Sequence, residues 1–212
     1  MMRTLYGYWR STAAYRVRIA LGLKSLPYES ISINLRAGEQ LGEAFKKINP
    51  QSLVPWLVDG EAGLGQSLAI IEYLDEVYPD PPLIPGDSIE RAKIRSMAQI
   101  VACDIHPINN LRVLKHLRKQ IGLDQEAIDA WARHWIEAGF ATLEAMAGPT
   151  AFLAGPEVTL ADICLVPQLY NARRVATDLS VYPSLLAIET RLLQIPAFDA
   201  ARPEMQAEAE PI

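Results

Sequence analysis

The spacing of hydrophobic and polar residues changes near residue 80, and the two parts of the chain predict different structures. Before that point, isoleucine alternates with serine within Tyr28–Asn34, which is the two-residue period of a strand. Helical patterns separate the strand-like runs in the order βαβαββα. Since a helix joins the first two strands, we expect them to run parallel in a mixed sheet. The predicted strands are 4–8, 28–34, 54–58 and 64–65, and the predicted helices are 13–24, 39–48 and 67–78.

Four prolines fall within Pro79–Asp87, so this segment continues neither a helix nor a central strand. Beyond it the patterns are helical, with apolar residues at 94, 97, 101, 105 and 108 recurring at steps of three and four. We therefore predict a mixed α/β domain at residues 1–80, a stiff linker at 81–87 and an all-helical domain at 88–212.

Two local signals refine the helical part. Pro107 removes a helical hydrogen bond, which predicts a kink in a long helix beside the polar segment His106–Arg112. Thr159 and Asp162 have the spacing of a capping box, with Asp in place of Glu or Gln, and predict the start of a later helix.

Composition narrows the class of protein. The 212 residues are 50% hydrophobic, which excludes disorder, and a net charge of −5 argues against a nucleic-acid binder. The longest run without Asp, Glu, Lys or Arg is Ala145–Pro156, too short to span a membrane. Cys103 and Cys164 form neither a disulfide framework nor a CxxC site, and three histidines without a cluster argue against a metal site. These features predict a cytoplasmic protein that acts on small molecules.

The first predicted helix start has residues that suit an anion. Ser11 and Thr12 lie at a strand-to-helix junction, where unpaired backbone N–H groups favour negative charge. A simple N-cap would need no ligand. The neighbouring Arg10, Arg16 and Arg18 favour the anion site, although Arg16 and Arg18 could equally be solvent-facing charges.

A second polar pair, Gln66 and Ser67, opens the helix over 67–78 and allows the same two interpretations, capping or carboxylate binding. Val54 precedes a strand-opening Pro55. A cis bond there would leave the Val54 backbone able to pair with an extended ligand, but the general frequency of cis proline does not predict one.

In the helical part, the segment His106–Arg112 places a histidine, two asparagines and an arginine at the predicted kink, as a cleft wall would require. A histidine bonded to a backbone carbonyl is the alternative. Arg173 and Arg174 near a helix end either complement its negative terminus or bind a ligand.

Ser11–Leu21, with the sequence STAAYRVRIAL, resembles the motif of zeta-class glutathione transferases. One position departs from that motif, since Ala13 stands where the family has cysteine, so any role of that thiol is absent. The resemblance covers nearly the whole chain in order. It continues through Asn49–Pro55, Gln66–Leu74, Cys103–Pro107, Thr159–Gln168 and Asp178–Pro183.

The resemblance implies a thioredoxin-like domain followed by an all-helical domain, with reduced glutathione as the cofactor. It implies that Ser11 hydrogen-bonds the glutathione sulfur and that Val54, before a cis Pro55, pairs with the cysteinyl backbone. Gln66 and Ser67 are expected to hold the γ-glutamyl end. Further glutathione contacts are expected from Thr12, Gln40, His106 and Asn110.

The implied activity is the glutathione-dependent cis–trans isomerisation of maleylacetoacetate to fumarylacetoacetate, a step of aromatic amino acid catabolism, by thiolate addition, bond rotation and elimination. Arg10, Arg112 and Arg174 are expected to bind the carboxylates of this substrate, and Arg10 and Arg174 to assist Ser11 in catalysis. Three alternatives stay open: maleylpyruvate isomerisation, general glutathione transfer or haloacid dehalogenation, and a non-catalytic binding module. The resemblance also implies a homodimer.

Overall fold

A computed structural model describes residues 2–210, which form two compact units. The first unit runs to Leu83 and takes up the chain again from Leu193, and the second spans Ile84–Leu192. None of the helices within the described residues is long and apolar enough to cross a membrane.

The first unit is built on a four-stranded mixed sheet. Its elements are β1 (Arg3–Gly7), α1 (Thr12–Leu23), β2 (Tyr28–Ser32), α2 (Glu43–Ile48), β3 (Trp56–Asp59), β4 (Ala62–Gly65) and α3 (Ser67–Val77). The strand order is β2-β1-β3-β4, with β1 and β2 parallel and β3 antiparallel to both of its neighbours. The predicted order of elements and the parallel first pair are confirmed.

Helix α1 is the central helix of the first unit, and every residue of Thr12–Leu21 is buried. Its carboxyl end is fixed by Lys24, whose ammonium group donates to the Asp75 carboxylate at 2.9 Å and to the carbonyls of Tyr78 and Pro81. The three donors of this buried side chain are therefore all satisfied, which offsets the cost of burying its charge.

The second unit is helical, as predicted. Its α-helices are α4 (Ser88–Gln99), α5 (Leu111–His116), α6 (Gln125–Met146), α7 (Leu160–Arg174) and α8 (Pro183–Leu192). The predicted capping box is confirmed at the start of α7, where the Asp162 carboxylate accepts from the N–H and the hydroxyl of Thr159.

Pro107 ends a helix rather than kinking it, contrary to the prediction. Proline has no N–H, and its ring displaces the preceding turn. The backbone before it widens into a π-helix over Ile100–Ile105, and the His106 N–H donates the hydrogen bond that closes this helix. A short 3-10 turn follows, and Asn110 then caps α5 by accepting the Arg112 N–H at 2.9 Å.

The end of the chain returns to the first unit, whereas we predicted that all of 88–212 belongs to the helical domain. A short helix, α9 (Pro196–Ala200), packs on α1, and the Ala201 carbonyl accepts a hydrogen bond from Arg18 at 3.0 Å. Gly22 leaves room for this close packing, since a Cβ there would lie 3.1 Å from the Ala197 side chain.

Candidate active site

Four loops of the first unit meet at one edge of its sheet. Because Tyr6 pairs with Trp56 and Trp56 with Gly65, the end of β1, the start of β3 and the end of β4 are neighbours. The end of β2 joins them through the pairing of Gly7 with Ser32. The loops at this edge contain Arg10, Ser11 and Thr12 after β1, Gln40 after β2, Val54 and Pro55 before β3, and Gln66 and Ser67 after β4.

Ser11 is the N-cap of α1, one of the two residues predicted for this helix start. Its backbone is extended, with φ −70° and ψ 116°, and its hydroxyl oxygen accepts the Ala14 N–H at 3.2 Å. A hydroxyl group has one hydrogen to donate, and within the described residues that of Ser11 meets no acceptor. Capping and ligand binding are thus compatible here, because capping uses the oxygen and leaves the hydrogen available.

Ser67, the first residue of α3, also has a hydroxyl whose oxygen accepts a hydrogen bond from the protein. Its side chain is buried, with 7% exposed, and its oxygen accepts from the Arg16 guanidinium at 3.3 Å. Its hydrogen meets no acceptor in the described part of the chain. The preceding Gln66 has a φ of +67° and donates to the Gln51 amide at 2.8 Å, and it does not cap the helix. The interpretation that the Gln66 side chain caps α3 is therefore wrong.

The Val54–Pro55 bond is cis, as the resemblance implied. Among residues 2–210, neither the N–H nor the C=O of Val54 has a protein hydrogen-bond partner, since the ladder to β1 begins at Trp56. The buried Asn49 fixes the loop before it, donating to the Leu53 carbonyl at 2.7 Å. This loop presents an open donor and acceptor pair to an extended ligand backbone.

Three further predicted residues lie at the same edge. Gln40 is buried, its amide bonds no other described residue, and its carbonyl oxygen is out of contact with solvent. Thr12 is buried at the first position of α1. The guanidinium of the half-buried Arg10 lies 5.4 Å from the centroid of the Trp9 ring, a cation–π distance.

The predicted residues of the second unit include two exposed arginines. Arg112 makes no side-chain hydrogen bond within the described residues, whereas Arg174 donates to the Asn171 amide at 3.1 Å. The neighbouring Arg173 forms a two-pronged ion pair with Glu189 on α8, and these hydrogen bonds raise the pKa of its guanidinium. Arg173 therefore joins two helices.

His106 and Asn110, the remaining predicted contacts, lie in the break between α4 and α5. Asn110 has a structural role of its own, because its carbonyl oxygen caps α5. Its amide N–H groups stay available, and the half-buried His106 precedes the 3-10 turn. The structure leaves their assignment to ligand binding as a prediction.

Comparison with known proteins agrees with this geometry. Residues 5–82 match the family model of the glutathione S-transferase N-terminal domain, and residues 125–191 match that of the C-terminal domain. A probable maleylacetoacetate isomerase of Vibrio cholerae is 51% identical, over 99% of each chain. The chain belongs to the zeta class of the glutathione S-transferases.

Two solved structures extend the comparison. A maleylpyruvate isomerase, described as a bacterial zeta-class enzyme in its holo form, has a TM-score of 0.96 and 46% identity, covering 98% of this chain and all of that one. A maleylacetoacetate isomerase of Methylobacterium extorquens with bound malonate and glutathione has a TM-score of 0.94 and 40% identity, with 98% and 100% covered. The predicted fold, a thioredoxin-like domain followed by a helical domain, is confirmed.

The open groups of this zeta-class chain fit glutathione. The tripeptide offers a thiol, an extended backbone and a carboxylate at each end, and the edge offers two hydroxyl donors at helix starts and the unpaired backbone of Val54. Ala13, 9% exposed, stands where the motif has cysteine. No group of three His, Cys, Asp or Glu suited to a metal ion occurs among residues 2–210.

Sequence reasoning left open whether two of the arginines are buried. Arg16 and Arg18 are 1% and 4% exposed, so the solvent-facing alternative is wrong for both. Arg18 donates to the carbonyls of Trp9 and Ala201, and Arg16 to Ser67. The only sequence signal was their position in α1, a helix whose neighbouring residues are otherwise small or apolar.

Proposed function

We propose that this protein isomerises maleylacetoacetate to fumarylacetoacetate with glutathione as its cofactor. The observation that carries the proposal is the Ser11 hydroxyl, which stands at the N-terminus of a buried helix with its hydrogen available for a sulfur anion. Support comes from the 51% identical Vibrio cholerae relative and from the glutathione and malonate bound in the Methylobacterium extorquens enzyme.

The reaction needs a temporary loss of double-bond character, and bound glutathione would supply the thiolate that adds to the double bond and is later eliminated. Ser11 favours the anionic sulfur by donating a hydrogen bond, and the positive end of α1 acts in the same direction. Both effects lower the thiol pKa, which is about 8.5 for a free cysteine side chain. A larger fraction of the cofactor is then reactive at neutral pH.

The other residues of the edge orient the cofactor. Val54 pairs its N–H and C=O with the cysteinyl backbone, while Gln66 and Ser67 bind the γ-glutamyl end. Gln40 has an unpartnered amide and is assigned to the glycyl end, which carries a carboxylate. Thr12, His106 and Asn110 are assigned as further contacts. Fixed orientation of the sulfur converts the addition into an effectively unimolecular step.

Arg10, Arg112 and Arg174 are assigned to the substrate. A guanidinium binds a carboxylate through two parallel hydrogen bonds, and its charge stabilises the enolate that forms on addition. Arg112 and Arg174 are exposed and Arg10 is half-buried, so all three are reachable from solvent. We assign the catalytic functions to Ser11, Arg10 and Arg174.

Maleylpyruvate is the second candidate substrate, because a maleylpyruvate isomerase matches the structure with a TM-score of 0.96. It is one methylene shorter than maleylacetoacetate, a difference that a pocket discriminates by about 1–3 kcal/mol. We also propose that the protein is a homodimer in the cytoplasm.

An absorbance assay with maleylacetoacetate and maleylpyruvate side by side, each with and without glutathione, tests the function. We expect glutathione-dependent turnover with a higher kcat/KM for maleylacetoacetate. Turnover that is independent of glutathione would refute the role of the cofactor. A higher kcat/KM for maleylpyruvate would select the second substrate, and inactivity on both would select general transferase or dehalogenase activity.

A further inference from the structure

Arg16 connects the two helix starts of the candidate site from inside the protein. It belongs to α1, little more than one turn after the N-cap Ser11, and only 1% of it is exposed. Its Nη1 donates to the Oγ of Ser67 at 3.3 Å, across 51 positions of sequence, and Ser67 is itself buried. A charged side chain is almost never buried this deeply unless it is paired.

The chemistry of the two groups fixes the direction of the hydrogen bond. A guanidinium has five N–H donors and no acceptor, so the Ser67 oxygen must accept from it. The single hydroxyl hydrogen of Ser67 is then directed elsewhere, and it meets no acceptor within residues 2–210. Ser67 is the first residue of α3, so this hydrogen lies at the helix start that also carries the unpaired backbone N–H groups of an 11-residue helix.

We propose that Arg16 is a positioning residue for the γ-glutamyl carboxylate of glutathione. It orients the Ser67 hydroxyl to donate, and it adds a fixed positive charge behind a helix N-terminus that already favours an anion. Arg16 acts through Ser67 and makes no contact with the ligand itself. This inference rests on the proposed use of glutathione, but not on which substrate is isomerised.

Arg18 provides the contrast within the same helix. It is 4% exposed, and its guanidinium donates to the backbone carbonyls of Trp9 and Ala201. These acceptors are main-chain atoms, so its role is to fix the packing of the chain. Replacement of Arg18 by lysine therefore matches the same replacement at Arg16 in burial and chemistry, but leaves Ser67 oriented.

The experiment measures glutathione affinity by titration calorimetry, and KM and kcat in the isomerase assay, for wild type, Arg16→Lys and Arg18→Lys. The second ligand is 4-aminobutyryl-cysteinylglycine, which is glutathione without the α-carboxylate of its γ-glutamyl residue. We expect Arg16→Lys to raise the Kd and KM for glutathione about tenfold, with kcat at saturation within about twofold. With the truncated ligand, Arg16→Lys and wild type should differ by less than about twofold.

Arg18→Lys is expected to lower the melting temperature without this carboxylate-specific loss. Ser67→Ala gives a second test if Arg16→Lys folds poorly. It removes the oriented hydroxyl and should weaken glutathione, but not the truncated ligand, and Arg16→Lys should add less than its own effect to this variant.

An equal loss of affinity for both ligands, or no loss for either, would overturn the inference. Additive effects of the Arg16 and Ser67 replacements would also overturn it, since they would show that the two residues act separately. Calorimetry keeps these outcomes distinct from a failure of the proposed function. A protein that binds glutathione but isomerises neither substrate would refute the proposed function and leave the role of Arg16 testable.

Discussion

The helix starts of the two units use the same kinds of residue in opposite ways. In the first unit, the hydroxyls of Ser11 and Ser67 accept hydrogen bonds from the protein and keep their own hydrogens available. In the second unit, the Thr159 hydroxyl at the start of α7 donates to Asp162 at 3.0 Å. The first arrangement leaves donors for a ligand, and the second uses them within the fold.

We call a helix start closed when its hydroxyl hydrogen is used within the fold, and open when that hydrogen stays available. The closed helix start of α7 is also the more deeply buried. Asp162 is fully buried, and its two oxygens accept from the Leu153 N–H and from the N–H and hydroxyl of Thr159. The comparison indicates that a capping signal stabilises the fold when its hydrogens are all used internally. When one hydrogen is left over, the helix start keeps a donor that a ligand can use.

The largest predicted effect is on stability, at the closed helix start. In Asp162→Asn, an amide NH2 group faces a backbone N–H that now donates to the carboxylate, so two donors oppose each other. This replacement should lower the free energy of unfolding by about 2–3 kcal/mol at pH 7.5. Urea denaturation followed by circular dichroism measures this loss. The KM for glutathione should not change.

Asp178→Asn is the matched control, because within residues 2–210 that exposed aspartate bonds only the neighbouring Ser180. Its unfolding free energy should stay within about 0.5 kcal/mol of wild type. Loss of glutathione affinity in Asp162→Asn at unchanged stability would contradict the division between closed and open helix starts.

The burial of the Asp162 carboxyl should also make the stability of the protein depend on pH. Burial raises the pKa of Asp162 to about 6 from an ordinary value of 3.8, while hydrogen bonds from Leu153 and Thr159 oppose the rise. Between these values the folded protein holds a proton that the unfolded chain has released, so the contribution of this group to stability falls as pH rises from about 4 to about 6.

Asp162→Asn has no carboxyl at this position, so the stability gap between wild type and the variant should narrow with rising pH. We expect it to be about 2 kcal/mol smaller at pH 7.5 than at pH 4.5. Urea denaturation of both proteins at the two values measures the gap. A gap that widens with pH would show instead that the ionised carboxylate is the form the fold prefers.

Local signals were sufficient to predict much of the fold. The order of the first seven elements, the N-cap at Ser11 and the capping box of α7 all depend on residues within one turn of each other. The strand order β2-β1-β3-β4, which decides which loops meet at one edge of the sheet, comes from the structure. Sequence indicated which loops carry the candidate residues.

Sequence could not show which helix start is open. The Ser67 oxygen accepts a hydrogen bond from Arg16, 51 positions earlier, and no short-range pattern contains that contact. The return of the chain to α1 after residue 192 is likewise a long-range packing event. Pro107 was predicted to kink a helix, but the helix ends there, and the π-helix before it and the new cap at Asn110 reflect how the backbone satisfies its hydrogen bonds.

At the open start of α1, Ser11→Ala should lower kcat at saturating glutathione by about tenfold or more, because the sulfur anion loses its hydroxyl donor. Ser11→Thr keeps the hydroxyl and the cap and should retain most of the rate. Steady-state assays at saturating glutathione measure both variants.

Asp124→Ala is the control for the loss of a helix cap by itself. It removes the N-cap of α6 and the 2.8 Å hydrogen bond that this cap accepts from the Ala127 N–H. It should cost about 1 kcal/mol of stability, as Ser11→Ala does, with kcat unchanged. An unchanged kcat in Ser11→Ala as well would reduce Ser11 to a plain cap and remove the contrast with α7.

The smallest effect is expected at Gln66, whose side chain faces solvent while its backbone has a φ of +67°. Glycine adopts positive φ without strain, so Gln66→Gly should leave the free energy of unfolding within about 0.5 kcal/mol of wild type. The KM for glutathione should rise about threefold, because the amide assigned to the γ-glutamyl end and its bond to Gln51 are lost. Thermal unfolding and steady-state kinetics on the same preparation measure both quantities. A fall in stability with an unchanged KM would place Gln66 with the closed helix starts, since its side chain would then serve the fold and not the ligand.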